Sequence, residues 1–318
     1  MLTAVMLALF ASAAAPGQTD LPSEVGDLFG LASGQLIMLD LDGITERRGQ
    51  VEAKIDGSAY TLDLRPNSVR ADNFVFRVQT PDGLLVERKP DVERTVKGSI
   101  QGMQQSRVIG AILDSGLSAK LVMGDGRLFF IEPVSSRMAN NRFEMLHVVY
   151  RSTDSRAHGC QCGLEDHTLG RLANIHEDLA TQQPNQRSVS LETSGNPEGG
   201  KQDGEPDGGT PVVQVAELAV DADFEYYTDY GTEQATLDRM ELIVNIVNDQ
   251  YETDVDLTHV ISAAIVRTSE PDPYGSTDSL ALLGQFRSEW INNQSDLQRD
   301  LAHLFTGKEI DSNIIGRA

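Results

Sequence analysis

Two cysteines, Cys160 and Cys162, stand one residue apart and are the only thiols in the chain. A C-x-C pair closes poorly into a disulfide, so these thiols are open to metal ligation, to redox exchange or to neither. His158 and His167 flank them, but that spacing is tighter than the usual zinc knuckle, and C-x-C in a loop is a weak redox signal. His176-Glu177-Asp178-Leu179-Ala180 begins like a zinc-hydrolase helix, yet its fifth residue is Ala180. Two ligands from one helix face need a second His one turn on, so this reads as a surface His-Glu pair. Glu270, Asp272 and Asp278 fall in a Pro/Gly-rich loop but lack the alternating ligand register of a calcium loop. They read as loop acids, with Thr277 or Asp278 capping the next helix. His259 and His303 lie in strands as packed side chains, and Trp290, the single Trp, packs a helix. Asn293-Gln294-Ser295 is a glycosylation sequon, meaningful in a host that glycosylates.

The elements that position these residues divide the chain in two. Over 36–150 the sequence alternates short β-prone runs, such as 61–64, 74–78 and 127–131, with Asp-Gly pairs at 42–43, 56–57, 82–83 and 125–126. Asp-Gly tolerates the positive φ of tight hairpins, which predicts a mostly antiparallel β domain. Over 181–210 apolar residues nearly vanish in favour of Gln, Asn, Pro, Gly, Ser and acids. Such a stretch cannot offset its ordering entropy and is expected to be a disordered, cleavable linker. Beyond it, strands at 212–220, 258–267 and 300–305 alternate with helices at 232–251 and 278–292. That order predicts a mainly parallel sheet with helical crossovers. The fold class expected is α+β: a β-rich domain followed by a truncated α/β domain.

The chain has 318 residues, 40% of them apolar, and a formal net charge of −22 with a pI near 4.5. Phosphate and anionic membranes would repel it, so nucleic acid is not an expected partner. An apolar run at 2–10 followed by Ala11-Ser12-Ala13-Ala14-Ala15 has the form of a signal peptide over 1–15. It is too short for a stable membrane anchor, and the chain is expected to be secreted. No Lys or Arg precedes this run; either the amino terminus supplies the charge or the true start lies upstream.

Three stretches resemble the reprolysin or adamalysin (ADAM-like) branch of the metzincin metallopeptidases. Thr95-Val96-Lys97-Gly98-Ser99-Ile100-Gln101-Gly102, then Ser106, Ser115-Gly116-Leu117-Ser118-Ala119 and Phe130-Ile131-Glu132-Pro133 are similar to the family's propeptide pattern, with Ser118 where a second Gly is usual. Ala216-Glu217-Leu218-Ala219-Val220-Asp221-Ala222-Asp223 is similar to the opening strand of the protease domain. Asp300-Leu301-Ala302-His303-Leu304-Phe305-Thr306-Gly307, with Ile315-Gly316-Arg317-Ala318, is similar to a later strand and the turn beyond it.

The resemblance implies a secreted zymogen with a propeptide domain over 20–180 and the first part of a metallopeptidase domain over 211–318. It implies zinc as cofactor, a zinc-activated water and a protein or peptide substrate. The three zinc histidines of H-E-x-x-H-x-x-G-x-x-H do not occur in the sequence. In the family that helix follows the last motif seen here, so no catalytic residue or zinc ligand is assigned, and the chain as it stands is expected to be inactive. Cys162, followed by Gly163 and Leu164, matches the family's cysteine switch, with Cys160 beside it. A thiolate on zinc would hold the enzyme latent until a protease cut the linker. Glu217 and Asp300 match two acids of a structural calcium site in many family members, though solvated strand-end acids are an equal reading. Two further readings stay open: a non-catalytic inhibitor acting in trans through Cys162, and the product of a decayed gene. A parallel sheet ending after its third strand leaves an edge uncovered, which predicts poor stability of 211–318 alone.

Overall fold

The computed structural model describes residues 21–137, 145–156, 161–162, 213–311 and 314–317; Cys160 and the stretch 181–210, expected to be a linker, lie outside them. A short helix, α1 (Ser23–Phe29), leads into β1 (Gln35–Met38), β2 (Gly49–Ile55), β3 (Ser58–Pro66), β4 (Arg70–Gln79), β5 (Leu85–Glu87), β6 (Thr95–Ile100), β7 (Arg107–Leu113), β8 (Gly116–Val122), β9 (Leu128–Pro133) and β10 (Leu146–Arg151). After β11 (Gln161–Cys162), the second half runs β12 (Gln214–Ala222), α2 (Phe224–Tyr230), α3 (Glu233–Asp254), β13 (Leu257–Val266), α4 (Ser279–Asn292), β14 (Leu301–Phe305) and β15 (Ile314–Gly316).

Eight strands of the first half form one antiparallel sheet in the order β1-β10-β9-β8-β7-β6-β3-β2. The sheet curls until its edges meet, where the Gln35 side chain donates to the Lys54 carbonyl and accepts the Asp56 N–H at 3.1 Å. Period-2 patterning does the rest: Val51, Ala53, Ile55, Leu62, Leu64, Leu117, Leu121, Phe129 and Ile131 point into a single core. The Asp56-Gly57 pair forms the predicted two-residue hairpin, both residues at positive φ, between paired Ile55 and Ser58. Gly98 marks a close approach, since a Cβ there would lie 2.0 Å from the Asp63 carbonyl. Ser106 staples the next turn by accepting the Ile100 N–H and donating to the Met103 carbonyl. The propeptide-like motif residues with visible partners thus build the barrel.

The second sheet has the order β14-β12-β13-β4-β5. Strands β14, β12 and β13 run parallel, as the alternating pattern predicts, and α3 and α4 are the predicted helices, started by Thr232 and Asp278 accepting the N–H groups of Ala235 and Ala281. One expectation is corrected. The run at 74–78 does not belong to the antiparallel domain; as part of β4 it pairs parallel with β13, Ala263 opposite Val75 and Val266 opposite Val78. The third strand, β14, ends the sheet on one side, as expected of a sheet that stops there, while on the other side β13 is covered by a strand from the first half. Helix α2, which the sequence reading missed, follows β12 directly.

Helix α3 lies between the two sheets. Leu237, Met240 and Val244 pack on the parallel sheet, while its other face covers β7 and β6; every residue of the neighbouring β8 is buried.

Candidate functional site

The two stretches that carry the protease-domain resemblance meet at both ends of the β12–β14 pair. At one end the Asp300 carboxylate accepts the Glu217 backbone N–H at 2.8 Å, and the Asp300 N–H donates to the Glu217 carbonyl at 2.8 Å. At the other, fully buried Asp223 caps α2 by accepting the Tyr226 N–H at 2.8 Å, and it also accepts the Gly307 N–H at 3.0 Å and the Thr306 hydroxyl at 2.5 Å. Gly307 is needed for that approach, since a Cβ would lie 2.5 Å from the Glu225 carbonyl carbon. Both acids therefore act as clasps between strand ends.

Beyond the carboxyl ends of β12 and β13 sits a polar cluster that sequence reading missed. Arg267 donates Nε–H and Nη2–H to the two oxygens of Asp221 at 3.1 and 2.9 Å, and Nη2–H to Glu289 at 3.0 Å. The Tyr274 hydroxyl donates to Asp221 at 2.5 Å, and Asn293 and Gln294 donate to Glu289. Burial works against the Arg267 charge, but Asp221 and Glu289 outweigh it and raise its pKa. Arg267, Glu289, Gln294 and Gln79 line a cleft of about 490 Å³. The only signal in the sequence was an Asp and an Arg at the ends of apolar strands, which also suits ordinary surface residues.

Of the thiol segment, Cys162 lies in β11, whose backbone pairs parallel with β15, Cys162 opposite Gly316. Cys160, His158, His167 and His176 lie outside the described residues. Asp272 is a loop acid as expected: its carboxylate accepts the N–H groups of Phe224 and Tyr274 at 2.9 and 2.8 Å, and Glu270 accepts that of Asp272. His259 is packed, its Nδ1 at 2.9 Å from Asn248 Oδ1 and its ring edge-on to Tyr251. His303 is exposed and sits edge-on to Phe305. Trp290 packs against Phe286 from helix α4. Asn293, in the sequon, is exposed and ends that helix.

Among the described residues no three His, Cys, Asp or Glu side chains are grouped to hold a metal ion. Those residues therefore do not fit zinc, which takes three or four such ligands. Calcium takes six to eight oxygens; Glu217 and Asp300 bring two carboxylates, one oxygen of which already holds a backbone N–H. Among the described residues no helix is long and apolar enough to cross a membrane.

Four parallel strands, β14, β12, β13 and β4, with helical crossovers and acids that clasp the ends of β12 and β14, form the α/β part of the fold. Residues 213–318, which supply all of that part but β4 and its neighbour β5, match the model of metallo-peptidase family M12, a reprolysin type. No curated protein matches the chain. The match supports a reprolysin-type M12 domain, of a family that is generally zinc-dependent, in the second half.

Proposed function

We propose that the chain is the precursor form of a secreted metalloendopeptidase whose first half, 20–180, is a propeptide and whose second half, from 211, is the opening part of the peptidase domain. The observation that carries this reading is the match of residues 213–318 to the M12 family. The clasps formed by Asp300 and Asp223 support it, because the residues of the two family-like stretches are those in contact. The zinc-binding helix belongs, on this reading, to sequence that follows residue 318 in the complete protein. Peptide-bond hydrolysis is a property of that protein. Its substrate is a protein or peptide, and a protease cutting within 181–210 activates it.

Cys162 is the latch in this reading. The backbone pairing of Cys162 with Gly316 supports this reading. The test is the reading frame beyond codon 318 together with metal analysis of its product. The expected result is an H-E-x-x-H-x-x-G-x-x-H segment, about one zinc per chain, and casein cleavage that a chelator stops. Cys162→Ser should then raise the activity of the uncut precursor. A verified stop after Ala318 and a metal-free product would replace this reading with a non-catalytic protein.

A further inference from the structure

The second half does not complete its sheet with its own residues. Strand β4 supplies the neighbour of β13 along five paired positions from Arg70 to Val78. Its side chains enter the core on both faces. Val69, Phe76 and Val78, all buried, join Val220, Met240, Val244 and Ile261 on the α3 side, and Val75 packs with Ala263, Ile265 and Trp290 on the α4 side. At the strand end the Gln79 side chain donates to the Ser269 carbonyl, and its backbone carbonyl accepts the Thr268 hydroxyl. A strand paired along both edges, with buried Phe76 and Val78 on one face and half-buried Val75 on the other, is a part of the sheet, unlike a peptide laid on its surface.

A second contact runs along α3. Asp238, Glu241, Asn245, Asp249 and Glu252 recur at intervals of three and four and form one stripe. Each meets a group from the first half. Arg94 approaches Asp238 at 2.9 Å, Arg70 meets Glu241 at 2.5 Å, Arg107 and Lys120 meet Asp249 at 2.6 and 2.9 Å, and Lys97 meets Glu252 at 2.8 Å. Asn245 donates to the carbonyls of Val96 and Gly110 at 3.0 and 2.9 Å. Most of these acids are buried, so separating the halves would strand complementary charges on both.

We infer that the first half is a permanent partner of the second: a cut in the connecting segment yields a two-fragment complex that stays together under native conditions. Strand β4 and the acid–base stripe hold it, and neither needs the covalent link. The inference rests on the shared sheet and on no assignment of peptidase activity, so it stands or falls apart from that assignment.

The experiment uses the full chain with a specific protease site inserted within 181–210. The intact protein is purified, cut to completion, and passed over a sizing column at low salt and at 1 M NaCl, a concentration at which exposed charge pairs are screened within about 3 Å. The expected result is two bands on a denaturing gel from one peak at the uncut volume, at both salts, with separation only in denaturant. Two peaks at low salt would overturn the inference, and two peaks in high salt alone would overturn the role of the shared strand. Hydrogen exchange on the cut protein gives an independent reading. The amides of Val75 to Val78 and Ala263 to Val266 should keep their protection, and loss of protection in both strands would equally overturn it.

Discussion

The Nε–H of Arg70, on the strand that the barrel lends to the second sheet, meets the Glu241 carboxylate of the long helix at 2.5 Å, with Glu241 wholly buried. Burial pushes the Glu241 carboxyl from its ordinary 4.5 up to about 7, against the pull of Arg70, and Glu93 and Asp238 add to the rise. A carboxyl that holds its proton more tightly folded than unfolded makes the folded state take up protons. Its contribution is full below the unfolded value and is lost as pH rises through the folded one. Glu241 should therefore make the protein more stable at pH 5 than at pH 8 by roughly 2–3 kcal/mol. Asp238, pushed up to about 6 by burial, acts in the same direction. Urea melts at the two pH values check this. Glu241→Gln should remove most of that part of the difference, and a variant with the parent's pH dependence would rule out the assignment.

Asp223 accepts two backbone N–H groups and one hydroxyl with no exposure to solvent. Asp223→Ala removes the α2 cap and strands those donors, at a cost of about 3 kcal/mol. Thermal melting of the full chain measures it. A loss as small as that of an ordinary surface change would show that the clasp between β12 and β14 carries little.

Arg267 is the counter-charge for buried Asp221 and Glu289. Arg267→Met leaves two carboxylates uncompensated and should cost about 3–5 kcal/mol. Adding Asp221→Leu should return part of that loss, because the second change removes one of the stranded charges. A double variant as unstable as the sum of its singles would contradict direct coupling.

Two glycines separate close approach from backbone conformation. At Gly98 a Cβ would overlap the Asp63 carbonyl on the neighbouring strand, whereas at Gly57, with φ of +80°, it would meet open space. Gly98→Ala should cost about 3 kcal/mol through displaced backbone. Gly57→Ala should cost about 1 kcal/mol through φ alone. Equal losses in denaturant melts would refute the distinction.

Much of the local structure was legible because its signals are short-range. Thr232 and Asp278 cap the helices they were expected to start, and Asp56-Gly57 turns its hairpin. Helix α2 was missed although Asp223 caps it and Gly231 ends it in the left-handed region; its aromatic-rich seven residues show no clear 3.6-residue period. The polar stripe on α3 would pass for a solvent face, since the acids are visible in the helix but their Arg and Lys partners come from another part of the chain. Of the site residues expected, Glu217 and Asp300 are brought together and Cys162 is placed by its backbone beside Gly316.

By itself, the sequence determined the caps, the turns, the period of each strand and the alternation that makes a parallel sheet. It also held the stretches that resemble reprolysins, since a motif is a property of residue order. Only the tertiary structure decided which sheet the 70–79 strand would join. A period-2 run is equally able to pair in a barrel or at the edge of β13. The choice rests on the fit of Phe76 and Val78 into the core beneath α3 and on the seating of Arg70 against Glu241, contacts between residues far apart along the chain.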